Sequence, residues 1–131
     1  MRLLWYVAFG GAVGSVLRLL LSEWVQGHGG GDFPLGTLVI NVTGSFLLGF
    51  LLRYALDTTV ITPEWRALLT IGFCGGYTTF STFSYETLAL IENGDWRRAA
   101  LYATSSFVLA LAGTAAGIFA AQELIHLRRG F

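Results

Sequence analysis

Hydrophobic positions run in four long blocks, at about residues 3–25, 35–56, 65–91 and 97–121, broken by three short polar stretches. Each block is close to the roughly 20 residues that a helix needs to cross a bilayer core. The breaks carry turn chemistry: Gly27-His28-Gly29-Gly30-Gly31-Asp32 with Pro34, then Asp57 to Pro63, then Glu92-Asn93-Gly94-Asp95. Pro34 and Pro63 sit just before or at a helix start, where a missing backbone donor costs little. The pattern predicts an all-α membrane protein with four transmembrane helices in a single domain spanning residues 1–131.

Composition agrees with that pattern. The 131 residues are 54% hydrophobic and 12% charged, with mean hydropathy +0.64, too apolar for a soluble domain of this length. All four tryptophans, Trp5, Trp24, Trp65 and Trp96, fall at expected helix ends, the level where amphipathic rings meet headgroups. Trp5 and Trp24 stand about 28 Å apart along a helix, close to one hydrocarbon thickness. The start Met1-Arg2-Leu3-Leu4 resembles a signal peptide, but its apolar run is longer than a signal core and reads as a retained span.

Charge narrows the function classes. Eight basic residues, all arginine, balance eight acids, and no clustered basic face suggests nucleic acid. If the N-terminus and the second loop share a side, that side holds Arg2, Arg53, Arg66, Arg128 and Arg129, against Arg97 and Arg98 opposite. This bias is modest and on its own places both termini in the cytoplasm. The single cysteine, Cys74, excludes an intrachain disulfide, and no Cys/His spacing suits zinc. His28 and His126 read as solvated residues near span ends. No histidine lies near a serine within a span, and no two carboxylates share a helix face, so a catalytic reading has little support.

The chemistry that remains is uncharged and lies inside the spans. Gly75-Gly76-Tyr77-Thr78-Thr79-Phe80-Ser81-Thr82-Phe83-Ser84 interrupts the third block. Each glycine weakens a helix by about 1 kcal/mol relative to alanine, and the hydroxyls compete with the helical ladder. A break near residues 75–79 is expected, freeing carbonyl oxygens and leaving a half-helix N-terminus with a positive end. Phe80 and Phe83, three apart, share a face. Two such rings can simply pack in an apolar core, or their positive edges can touch a small anion without an ion pair. Weak contact of that kind suits conduction, which needs entry and release alike.

Asn41 in the second block either bonds a neighbouring helix or turns an N–H toward an anion. Thr37, Thr43 and Ser45 can be satisfied by their own backbone carbonyls. Tyr102 and Ser106 place hydroxyls four apart in the last block. Arg18 and Glu86 are the charges within or near the hydrocarbon. Arg18 is near enough to an end to snorkel, and Glu86 calls for a wet vestibule or a hydrogen-bonding partner. Gly10 with Gly14 and Gly113 with Gly117 allow close helix approach, and oligomerisation through one such face is expected.

Three stretches resemble the Fluc/CrcB family of fluoride channels: Gly11 to Arg18, Pro34 to Phe46, and Gly72 to Ser84 with Glu86. The resemblance implies a dual-topology antiparallel homodimer with two pores and a third helix broken mid-membrane. It implies passive fluoride export across a bacterial plasma or inner membrane. Phe80, Phe83 and Asn41 would line the pore, with Ser81, Thr82, Tyr102 and Ser106 as polar lining. The Gly75 and Thr78 carbonyls of both subunits would hold a structural sodium ion at the dimer interface. Arg18, Thr37 and Glu86 match family positions of less defined role. The rival reading is a small four-helix multidrug or cation exporter. It needs a carboxylate within the first span, where only Glu23 stands, at the end. A non-transporting scaffold leaves Asn41 and residues 75–84 without a purpose.

Overall fold

A computed structural model describes the chain from Met1 to Phe131. The molecule is all-α: α1 (Arg2–Val25), α2 (Leu35–Asp57), α3 (Pro63–Arg66), α4 (Gly75–Tyr77), α5 (Phe80–Glu92) and α6 (Trp96–Arg129). A π-helical stretch, Ala67–Cys74, joins α3 to α4 without a break, and a π-helical turn, Gln26–Gly30, prolongs α1. Three helical stretches, residues 2–30, 35–57 and 96–129, are long and apolar enough to cross a membrane. The protein is a multi-pass membrane protein.

Helix ends follow local chemistry. Thr62 precedes Pro63 at the start of α3, and its side chain accepts a hydrogen bond from Trp65 N–H. Asp95 accepts from Arg98 N–H and starts α6. Gly94 adopts φ 79° in the turn before it, a conformation that other residues take up at a cost. The first glycine-rich segment is less of a loop than expected. Residues 26–30 stay helical, and the true turn is confined to residues 31–34. The Gln26 side chain explains this, because it bonds Gly31 O and Phe33 O at 2.9 Å each and accepts from Gly36 N–H at 3.0 Å. At the other end α6 outruns its apolar block by eight residues. There Arg128 donates to Tyr54 OH at 2.7 Å and Arg129 to Asp57 O at 3.3 Å.

Two crossings organise the chain. α2 and α6 pack along their lengths, and α1 packs on the π-helical stretch and α4. Both depend on absent side chains. A Cβ at Gly14 would strike the Phe73 carbonyl oxygen, and one at Gly117 would strike that of Phe46. Gly10 and Gly113 likewise face backbone of the neighbouring segment. The close helix approach expected of the glycine pairs is found inside the chain, between neighbouring segments.

The third apolar block is not one rod. Thr78 (φ −86°, ψ 157°) and Thr79 (φ −150°, ψ 116°) are extended between α4 and α5. Two glycines and adjacent threonines weaken the ladder here, and side chains take over its hydrogen bonds. The 13-residue α5 spans only about 20 Å, and it lies against α6 and α2.

Candidate ion pathway

Asn41 on α2 replaces the missing backbone partners of the break. Its Nδ2 donates to Thr79 O at 3.0 Å, and its Oδ1 accepts from Thr79 N–H at 2.7 Å. Thr79 is buried, so both groups would otherwise lose their partners away from water. Asn41 thus spends one N–H on the backbone and keeps a second. The Thr79 hydroxyl caps α5 by accepting from Thr82 N–H at 3.2 Å, donates to Thr82 Oγ1 at 3.1 Å and meets Ser81 Oγ at 3.3 Å.

These substitutions release carbonyls. The Thr79 N–H that would close a helical turn on Gly75 O goes to Asn41, and the Thr82 N–H that would close one on Thr78 O goes to Thr79. Gly75 is exposed, with nothing in the chain within 4 Å of where a Cβ would stand. These two carbonyl oxygens are the hard donors that a small alkali cation, which prefers oxygen ligands, could use here.

Next to the break lies an open-sided groove of about 380 Å³ between α2, α5 and α6. One wall carries Asn41 and Ser45, the break contributes Thr78 and Thr79, and α5 contributes Phe80 and Phe83. The facing wall is α6, with Ser106, Phe107, Ala110, Leu111 and Thr114. The Phe80 and Phe83 ring centroids are 5.6 Å apart with planes at 45°. Phe80 is 79% exposed, its ring standing at the open edge. Ser106 Oγ is buried at this wall and has no hydrogen-bond partner. No acidic or basic side chain lines the groove.

Tyr102 stands behind that surface. It is fully buried, with its ring 5.2 Å from Phe83 and edge-on to Phe33 at 5.6 Å. Its hydroxyl donates to Glu86 Oε2 at 2.9 Å, while Thr37 Oγ1 donates to Glu86 Oε1 at 2.7 Å. Glu86 thus has a hydroxyl on each oxygen. A second cavity, of about 330 Å³, reaches this group and is lined by Ser22, Glu23, Gln26, Pro34, Gly36, Thr37 and Glu86, with no hydrophobic residue among them. Phe83 both lines the groove and meets Tyr102 of the Glu86 cluster.

The family described as "CrcB-like protein, Camphor Resistance (CrcB)" matches residues 5–118. The chain belongs to the CrcB-like family. Among curated relatives, proteins named "Fluoride-specific ion channel FluC" are similar over most of their length. The one from Geobacter sulfurreducens is 52% identical over 118 residues, 90% of this chain and 95% of that protein. The one from Aquifex aeolicus is 43% identical over 124 residues, 95% and 100%. The one from Thermus thermophilus is 50% identical over 105 residues, 80% and 82%.

In this CrcB-like chain, Asn41, Phe80, Phe83 and Ser106 converge on one groove, while Thr37, Glu86 and Tyr102 form the adjoining cluster. Ser81 and Thr82 are exposed on α5 and do not line the groove. Arg18 is half-buried on α1, away from the groove, and joins none of the ion pairs. Sequence reasoning missed Thr114, which lies two helical steps of four beyond Ser106. The same i, i+4 rule that pairs Tyr102 with Ser106 reaches it.

Proposed function

We propose that this chain is a fluoride-selective channel that lets fluoride leave the cell passively and so lowers its toxic level in the cytoplasm. The observation that carries the reading is the groove: two phenylalanines, an amide and hydroxyls, with no charge, meet at a helix interruption. Such groups can replace part of an anion's hydration shell without holding it in an ion pair. The printed names of the relatives support fluoride as the ion. A negative cell interior drives an anion outward.

The active form in this reading is a dual-topology antiparallel homodimer of four-span subunits in a bacterial plasma or inner membrane. The 79% exposure of Phe80 and the open side of the groove support a second copy that completes each of two pores. The interruption at residues 78–79 then lies at the membrane midplane. Ser81 and Thr82, exposed in one subunit, join the polar lining from the partner side. The Gly75 and Thr78 carbonyls would hold a structural sodium ion between subunits, and it would supply positive charge that neutralises their dipoles. Glu86, with Thr37 and Tyr102, stands at the cavity end of the path, and Arg18 adds positive charge near an entrance.

The test is fluoride efflux from proteoliposomes bearing Phe80→Ile or Phe83→Ile, with the assembly state measured beside it. Both variants are expected to assemble normally and to lose efflux. Efflux at the wild-type rate from both would remove the phenylalanines from the path.

A further inference from the structure

We infer that Gln26 is a positioning residue for the hydroxyl pair that grips Glu86. The inference rests on the reading above, in which Glu86 lies on the ion path.

Gln26 lies in the last turn of the first span, outside the groove, and its side chain is fully engaged. The amide nitrogen Nε2 donates to two carbonyl oxygens, Gly31 O and Phe33 O, and the amide oxygen Oε1 accepts from Gly36 N–H. Only this orientation satisfies all three contacts. The two ends of that brace lead to the two donors on Glu86. Gly36 immediately precedes Thr37, whose hydroxyl bonds Glu86 Oε1. Phe33 packs edge-on against Tyr102, whose hydroxyl bonds Glu86 Oε2.

One side chain therefore fixes the start of α2 under Thr37 and the ring that backs Tyr102. A second tie holds the same turn, since Arg98 Nη1 lies 3.6 Å from Asp32 Oδ2, but Arg98 is about half exposed and Asp32 largely so, and an exposed pair contributes little. Gln26 also lines the polar cavity beside Thr37 and Glu86, so its loss would be felt at that cluster rather than at the groove's phenylalanines. Without the brace, Thr37 and Tyr102 lose their common reference, and the Glu86 carboxylate is no longer held at both oxygens.

Single-channel fluoride current in planar bilayers separates this role from a merely structural one, because fewer folded channels change the number of events and not the unit conductance. Gln26→Leu removes all three hydrogen bonds, and its unit conductance is expected to fall roughly fivefold or more, the factor for one net hydrogen bond. Gln26→Asn keeps the amide without adding charge but is one methylene shorter, so it cannot span all three contacts across the turn. It is expected to assemble and to show an intermediate fall. Thr37→Val serves as the reference. If Thr37→Val lowers conductance while the Gln26 variants conduct like wild type, Gln26 is not a positioning residue. If Thr37→Val itself conducts like wild type, the placement of Glu86 on the path is wrong. Should Gln26→Leu yield no channels, Gln26→Asn decides, and wild-type conductance from it overturns the inference.

Discussion

Replacing Asn41 with leucine isolates the interaction on which the interruption depends. Leucine has the same branched shape and is the larger of the two, so the change opens no cavity, but it withdraws the amide from both Thr79 N–H at 2.7 Å and Thr79 O at 3.0 Å. Thr79 is only 8% exposed, so losing both partners leaves two largely buried backbone groups unpaired. A buried polar group left unsatisfied costs about 1–3 kcal/mol, and two of them about 2–6 kcal/mol. The single cysteine reports on this directly. Cys74 is 1% exposed, and its carbonyl accepts from both Thr78 N–H and Thr78 Oγ1. Its thiol reacts with an aqueous reagent only when the segment opens, so the labelling rate measures the local opening equilibrium. A loss of about 2 kcal/mol raises that rate by roughly 30-fold, at about 1.4 kcal/mol per factor of ten. Asn41→Asp keeps the acceptor for Thr79 N–H but sets a carboxylate oxygen against Thr79 O, and it is expected to accelerate labelling as well. Labelling of the leucine variant within about threefold of wild type would refute the view that Asn41 sustains the interruption.

Three further outcomes are expected. Gly117→Val drives side-chain atoms into the Phe46 carbonyl at the α2–α6 crossing and should reduce thermal stability in detergent by about 3 kcal/mol or more, whereas Gly27→Ala, with nothing within 4 Å, should leave it nearly unchanged; equal effects would contradict the crossing. A Cβ at Gly75 meets nothing inside the chain, so with Gly75→Val the subunit should fold while the proposed homodimer is lost on size measurement, and a normal dimer would mean that no partner approaches there. Tyr102→Phe keeps the ring contacts with Phe33 and Phe83 but removes one donor to Glu86, and fluoride efflux should fall roughly tenfold, as for a hydrogen bond to a charged group; unchanged efflux would take that hydroxyl out of the mechanism.

Much of the architecture was readable from apolar periodicity, because a span must hide its backbone and so declares itself by length. Thr78 and Thr79 fall where glycine and hydroxyl groups crowd the third block, and they are extended for the reason the pattern suggests. The partner that replaces their ladder was not readable. Asn41 lies 38 residues away, and only the folded chain shows that its amide meets the backbone of Thr79. Tyr102 and Ser106 share a helix face by spacing, yet Ser106 lines the groove while Tyr102 turns to Glu86, a choice made by α5 packing on α6. The glycine pairs were legible as sites of close approach, but not which segment would approach. Nothing in the pattern announces Gln26, whose three contacts across a turn only the folded chain shows.

Selective passage of fluoride through an uncharged groove is the centre of this account, and ion efflux from liposomes containing the purified protein tests it most directly. Vesicles loaded with fluoride should empty rapidly once the opposing voltage is released by an ionophore, while matched vesicles loaded with chloride should hold their contents. Equal efflux of the two ions, or none of either, would contradict it.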